Sequence, residues 1–178
     1  MKCSFLVLVF IVGLPSNAFA GDDLPWKFNM TPEEVASFTQ LGPYRTFSNG
    51  DLETYNAMLD GKKQNFQFFF SDHKLRRIGV YLYEGQDEQA AAEAWLDSYR
   101  TIIRHFGNVE TPQNTPPTDM DGSAFRAKAI ESVDSVGKIQ MAPIKQPANA
   151  FVFSSFFRSD VQGQRLYDVV LYFDRPTK

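Results

Sequence analysis

A chain of 178 residues with one cysteine and two histidines has little with which to perform thiol or imidazole chemistry. The histidines, His73 and His105, show no H-E-x-x-H or comparable spacing that would set two imidazoles on one metal ion. Equally missing are the G-x-S-x-G turn of a serine hydrolase, the G-x-x-x-x-G-K phosphate loop and the G-x-G-x-x-G dinucleotide turn. Ser154 and Ser155 fall inside a strand-like segment without a base beside them. Positive charge is also short, with 18 Lys and Arg against 21 Asp and Glu. That balance argues against a general binder of nucleic acid or anionic membrane, which needs a basic face to release counterions or meet headgroups.

Long apolar runs are confined to one place. Cys3 to Leu14 follows Met1-Lys2 and is broken by Pro15-Ser16-Asn17 ahead of Ala18-Phe19-Ala20. A basic start, an apolar run and an A-x-A site are the order of a secretory signal. The run is about a dozen residues, against the roughly twenty needed to cross a bilayer as a helix. Residues 1–20 are therefore expected to be a signal peptide, with a periplasmic or secreted domain from Gly21 onward. Cys3 precedes the run rather than standing at the cleavage point, so neither a lipid anchor nor stable membrane insertion is expected after cleavage. Cleavage removes the only cysteine and moves the formal charge from −3 to −4. A domain of that length without disulfides must be held by an apolar core, for which Phe, Tyr and Trp supply 15% of the chain.

Thr31-Pro32-Glu33-Glu34-Val35 opens a short helix: Thr31 caps free N–H groups, Pro32 fits the first turn and two acids suit the dipole. It ends by Gly42-Pro43. From Tyr44 the period becomes two, and Asn49-Gly50 and Asp60-Gly61 are both favoured type I′ pairs. Strands are expected over 44–47, 51–59, 62–70 and 75–83, the last two joined through Ser71-Asp72-His73-Lys74. In the fourth strand Ile78, Val80 and Leu82 share one face, while Arg77, Tyr81 and Tyr83 share the other. Asp87 to Phe106 is a long helix whose stripe of Trp95, Leu96, Tyr99, Ile102, Ile103 and Phe106 packs on the aliphatic face. Residues 108–122, with three prolines, read as a long loop. A second helix over 123–135 and strands over 138–144, 149–158 and 165–174 follow. The order α-ββββ-α-(α)-βββ implies one α+β domain, a two-layer sandwich on a mainly antiparallel sheet.

Met30-Thr31-Pro32-Glu33-Glu34-Val35, reaching Leu41-Gly42-Pro43 and followed by strands such as Phe68 to Val80, resembles small bacterial envelope modules. These are the BamE/SmpA lipoproteins and beta-lactamase inhibitor protein, with an "M-T-x-x-x-V … L-G-x-P" helix before an antiparallel sheet. The resemblance covers residues 28–83. It implies a non-enzymatic, protein-binding or envelope-associated role. The chain departs from the pattern in lacking a cysteine at the mature start.

Among individual residues, His73 is read as a solvated turn residue and His105 as a cation at a helix C-terminus. Asp119-Met120-Asp121-Gly122 resembles the start of a calcium loop, yet Glu131 and Asp134 do not supply the bidentate ligand it needs. Glu53, Glu84 and Glu110 show nothing unusual as acids, and Asn29-Met30-Thr31 matches a glycosylation sequon. No metal, cofactor or catalytic residue is expected. The aromatics Phe69, Tyr81, Tyr83 and Phe156 are expected to share the sheet face away from the long helix, as a second core or as a docking groove. The leading expectation is a non-catalytic protein-binding domain of the cell envelope, acting through Trp26, Phe69, Arg77, Tyr81 and Tyr83 with the 108–122 loop. The alternative is a carrier of a small apolar ligand or lipid, with a hydrolase of dispersed acids third.

Overall fold

The computed structural model describes residues 24–111 and 122–176. The expected signal peptide and Asp119-Met120-Asp121 lie outside them. Helix α1 (Pro32–Ala36) starts as its sequence dictates: the Thr31 hydroxyl accepts from Glu34 N at 3.3 Å, and Thr31 N donates to Glu34 Oε2 at 2.7 Å. It stops after five residues, and a 3₁₀ turn (Thr39–Leu41) brings the chain to Gly42.

The first strands are shorter than their alternation suggested. After β1 (Arg45–Thr46), the segment expected as one strand over 51–59 divides into β2 (Leu52–Thr54) and β3 (Met58–Leu59). β3 pairs with β4 (Lys62–Lys63) in a separate ribbon. Asp60 and Gly61, at φ 50° and 76°, form the type I′ link of that ribbon. Asn49-Gly50 does not: only Gly50 is left-handed, and the Asn49 side chain accepts from Asp51 N at 3.1 Å instead.

β5 (Asn65–Ser71) turns into β6 (Lys74–Gly85) through Asp72 and His73, at φ 52° and 59°. Asp87 then caps α2 (Glu88–Phe106), accepting from Gln89 N and Ala90 N. The expected loop contains a short strand, β7 (Val109–Glu110), before α3 (Ser123–Val136) and β8 (Lys138–Pro143). β9 (Phe151–Val161) and β10 (Gln164–Asp174) complete the chain through a turn at Gln162 and Gly163, φ 52° and 79°.

The result is α+β, with an antiparallel eight-stranded sheet in the order β1-β2-β5-β6-β10-β9-β8-β7. Each half of the sheet runs from its edge inward, and the halves meet where β6 pairs with β10. Among the described residues, the three α-helices lie on one face. Trp95 of α2 packs on Phe156 with ring centroids 6.0 Å apart, and Asp134 of α3 accepts from Arg158. Near α1, Trp26 packs on Phe66 and Phe68. Two expectations are corrected here. Phe156, expected on the opposite face, is fully buried under α2 because even-numbered residues of β9 point toward the helices. Ile103 is 40% exposed, since α2 buries the stripe through Ala91, Trp95, Ser98 and Ile102.

Core and open-face aromatics should respond differently to truncation. Phe68→Ala, at a fully buried position, is expected to cost about 3–5 kcal/mol by chemical denaturation. Phe153→Ala, on the half-exposed side, should cost well under half of that; equal losses would mean that both faces are covered.

Candidate functional site: the uncovered face of the sheet

Among the described residues, no helix or ribbon packs on the second face of the sheet. Two β-bulges decide which side chains reach it. Pairing between β10 and β6 jumps from Val169↔Tyr83 to Val170↔Tyr81, leaving Leu82 as the extra residue. Tyr83 is thereby turned to the helix side, where its hydroxyl accepts from Asp87 N at 2.8 Å. At the other end the register shifts between Phe69↔Arg77 and Phe70↔Leu75, with Arg76 extra. Between the bulges Arg77, Gly79 and Tyr81 point to the open side.

Gly79 is required there. A Cβ on it would stand 3.2 Å from both the Phe69 and the Tyr172 rings, so its absence lets two aromatic side chains close over the strand. Tyr172 stacks on Phe153 at 5.0 Å, and Phe153 meets Phe151 at 5.7 Å. Arg77 completes the arrangement: its guanidinium lies 4.8 Å from the Tyr172 centroid and 5.6 Å from that of Phe153. The same group forks onto Asp174, Nε donating to Oδ1 at 2.5 Å and Nη2 to Oδ2 at 2.7 Å. Beside Phe151 and Phe153 the surface hollows into a cavity of about 550 Å³, bounded also by Ala142 and Glu110.

Burial raises the Tyr81 phenol above its ordinary value, with Tyr172 and two carboxylates adding to the effect, so the hydroxyl stays protonated. The carboxylates are Glu84 and Asp168, directly paired across β6 and β10. Asn65 Nδ2 donates to Glu84 Oε2 at 3.2 Å. Burial, then the neighbouring Glu84, pushes the Asp168 carboxyl up to about 6.

Of the residues singled out from sequence, Phe69, Arg77 and Tyr81 come together on this face. Tyr83 and Trp26 do not. Trp26 is 3% exposed, wedged among Phe38, Phe66 and Phe68, with its indole N–H donating to the Tyr44 hydroxyl at 3.2 Å. Of the 108–122 loop, 112–121 lie outside the described residues. The sequence reading missed Phe151, Phe153, Asp168, Tyr172 and Asp174. A signal was present, because Tyr172 and Asp174 alternate with the buried Leu171 and Phe173, and β9 carries aromatics at both parities.

The remaining candidates are tied into structure. His73 lies in an exposed turn, 3.2 Å from Glu33. His105 is not a free dipole cation: its side chain is 2% exposed and stands 2.7 Å from Asp60 Oδ1. Asp60 also accepts from Thr101 Oγ1 and Arg104 Nη1, which clamps the β3–β4 ribbon to the end of α2. Ser98 Oγ donates to Ser154 Oγ at 2.7 Å, and Ser155 Oγ accepts from Gln140; neither β9 hydroxyl meets a histidine or carboxylate. No family model, curated protein or solved structure matches the chain.

The raised Asp168 carboxyl has a pH signature. Below about pH 3 it is protonated both folded and unfolded, and no penalty exists; the penalty grows as pH rises through 3.8 toward about 6 and is complete above. Displacement of that size corresponds to about 3 kcal/mol, and to about 1–2 kcal/mol once solvent screening of a half-exposed group is allowed for. Asp168→Asn should therefore raise stability above pH 7 by about 1–2 kcal/mol and leave it unchanged below about pH 3. Denaturation curves at about pH 2.8 and about pH 7.5 check this.

Proposed function

We propose that this is a non-catalytic exported domain that binds another protein of the cell envelope through the uncovered face of its sheet. One observation carries the reading: Phe69, Tyr81, Phe151, Phe153 and Tyr172 are gathered with Arg77 on a face over which the described chain places no element. Contiguous aromatic surface of this kind is costly to leave in water. Tyr, Phe and Arg are also the residues enriched at protein interfaces, offering large contact area with few rotors and a polar tip. Stacking and the Arg77–Asp174 fork hold them in place before any partner arrives, which lowers the ordering cost of docking. The export signal expected in residues 1–20 and the resemblance of residues 28–83 to BamE/SmpA-type modules agree with this assignment.

The competing carrier reading needs room for a ligand between sheet and helices. Trp95, Phe156, Tyr167 and Phe173 occupy that space, each no more than 2% exposed. The protein-binding reading does not need such a cavity.

Photo-crosslinking in the native host tests it. A crosslinking side chain at Phe153 is expected to give one discrete adduct with a protein, and the same group at Ala127, on the exposed side of α3, none. Tyr172→Glu should reduce the Phe153 adduct about tenfold by placing charge in the centre of the contact. Absence of an adduct from Phe153, or equal adducts from both positions, would overturn the proposal.

A further inference from the structure

Two acids of the open face are answered by a cation within the chain. Asp174 has Arg77, and Glu53 has Arg45 Nη1 at 3.3 Å. Glu84 and Asp168 have none: among the described residues no Lys or Arg lies within ion-pairing distance of either. They are nevertheless direct cross-strand partners, a position in which like charges repel and in which sheets ordinarily place opposite signs. Lys138 shares their row only across Phe157, two strands from Asp168, roughly 10 Å by strand spacing.

Asn65 adds a third acceptor to this corner. Its Nδ2 donates to Glu84, and the opposite amide orientation would set its carbonyl oxygen against a carboxylate, so the orientation is fixed by chemistry. The remaining Oδ1 is buried without a partner, on a residue only 6% exposed. A buried carbonyl in that state costs free energy and calls for a donor. The Tyr55 hydroxyl donates to Glu53 instead. Two carboxylates, one of them held by the Asn65 amide, thus stand side by side with no cation within ion-pairing distance among the described residues.

We propose that the corner formed by Asn65, Glu84 and Asp168 receives a lysine or arginine side chain of the protein partner. The proposal rests on the protein-binding reading and names the contact that would give it polarity. A side-chain cation fits the site better than a divalent metal ion. An ammonium or guanidinium brings three to five N–H donors for the acceptors present, whereas calcium needs six to eight oxygens, more than these three side chains supply. The surrounding Tyr81 and Phe157 offer apolar surface for the methylene stem of such a side chain. One end of the open face then sets the register of the partner, while the aromatic centre supplies contact area.

Two measurements on the full chain test this. In carboxyl NMR titration, butylammonium chloride, a lysine side-chain analogue, is expected to lower the Asp168 midpoint saturably and by more than sodium chloride of equal ionic strength, and Glu84→Gln should abolish the difference. Identical behaviour of the two salts overturns the site, as does a saturable response to calcium chloride with none to butylammonium. In the crosslinking assay, the double variant Glu84→Gln/Asp168→Asn should lower the Phe153 adduct about tenfold. Removing acidic repulsion is expected to stabilise the fold, so a loss of adduct cannot be ascribed to unfolding; unfolding curves recorded alongside confirm it. An unchanged adduct in the double variant defeats the inference and leaves the protein-binding reading standing, whereas no adduct in the unsubstituted chain defeats that reading itself. An adduct of twice the chain mass would replace the envelope partner with a second copy and overturn the assignment.

Discussion

The antiparallel ladder between β6 and β10 joins two half-sheets that are otherwise formed from separate stretches of chain, and both faces of the molecule are organised by it. On one side it sets Ile78 and Val80 against Phe173 and Leu171, the centre of the core beneath α2. On the other it sets Arg77 against Asp174, Gly79 against Tyr172, Tyr81 against Val170 and Glu84 against Asp168. The bulge at Leu82 lets one strand serve both ends. Without it, Tyr83 would follow Tyr81 onto the open face and α2 would lose the hydroxyl that accepts from Asp87 N.

The two faces are stabilised differently. Beneath the helices, burial is nearly complete, and fully enclosing a large apolar side chain contributes roughly 1.5–3 kcal/mol. On the open face Phe151 remains 47% exposed, so packing there is lateral, ring against ring and guanidinium against ring. Such contacts contribute little to folding but fix the shape of a surface. The charges are distributed in keeping with this. Arg77 is neutralised at the centre by Asp174, while the unanswered pair Glu84 and Asp168 stands at one end. A surface arranged in this way is stable alone and incomplete electrostatically.

Much of the fold was legible because its signals are local. The Thr31 cap, the α2 periodicity from Trp95, the Asp60-Gly61 turn and the alternation of β6 and β10 each depend on residues a few positions apart. Legibility failed where a distant partner decides. Residues 51–59 alternate like one strand, but Leu52–Thr54 pairs with β5 and Met58–Leu59 with β4. Trp26 carries no periodic context, and its burial depends on Phe66 and Phe68 some forty residues on. His105 read as a helix-end cation because its partner Asp60 comes from another element.

By itself the sequence determined an α+β chain with an antiparallel sheet, the order of its major elements and the parity that brings Phe69, Arg77 and Tyr81 together. Periodicity and turn chemistry suffice for that, since they act within one or two elements. Only the tertiary structure decided that the described helices share one face, that Tyr83 leaves the aromatic set and that Asp168 faces Glu84 with no cation among the described residues. Those outcomes depend on register between strands separated by about ninety residues, and a single bulge, which no local pattern announces, reverses the side to which every later residue points.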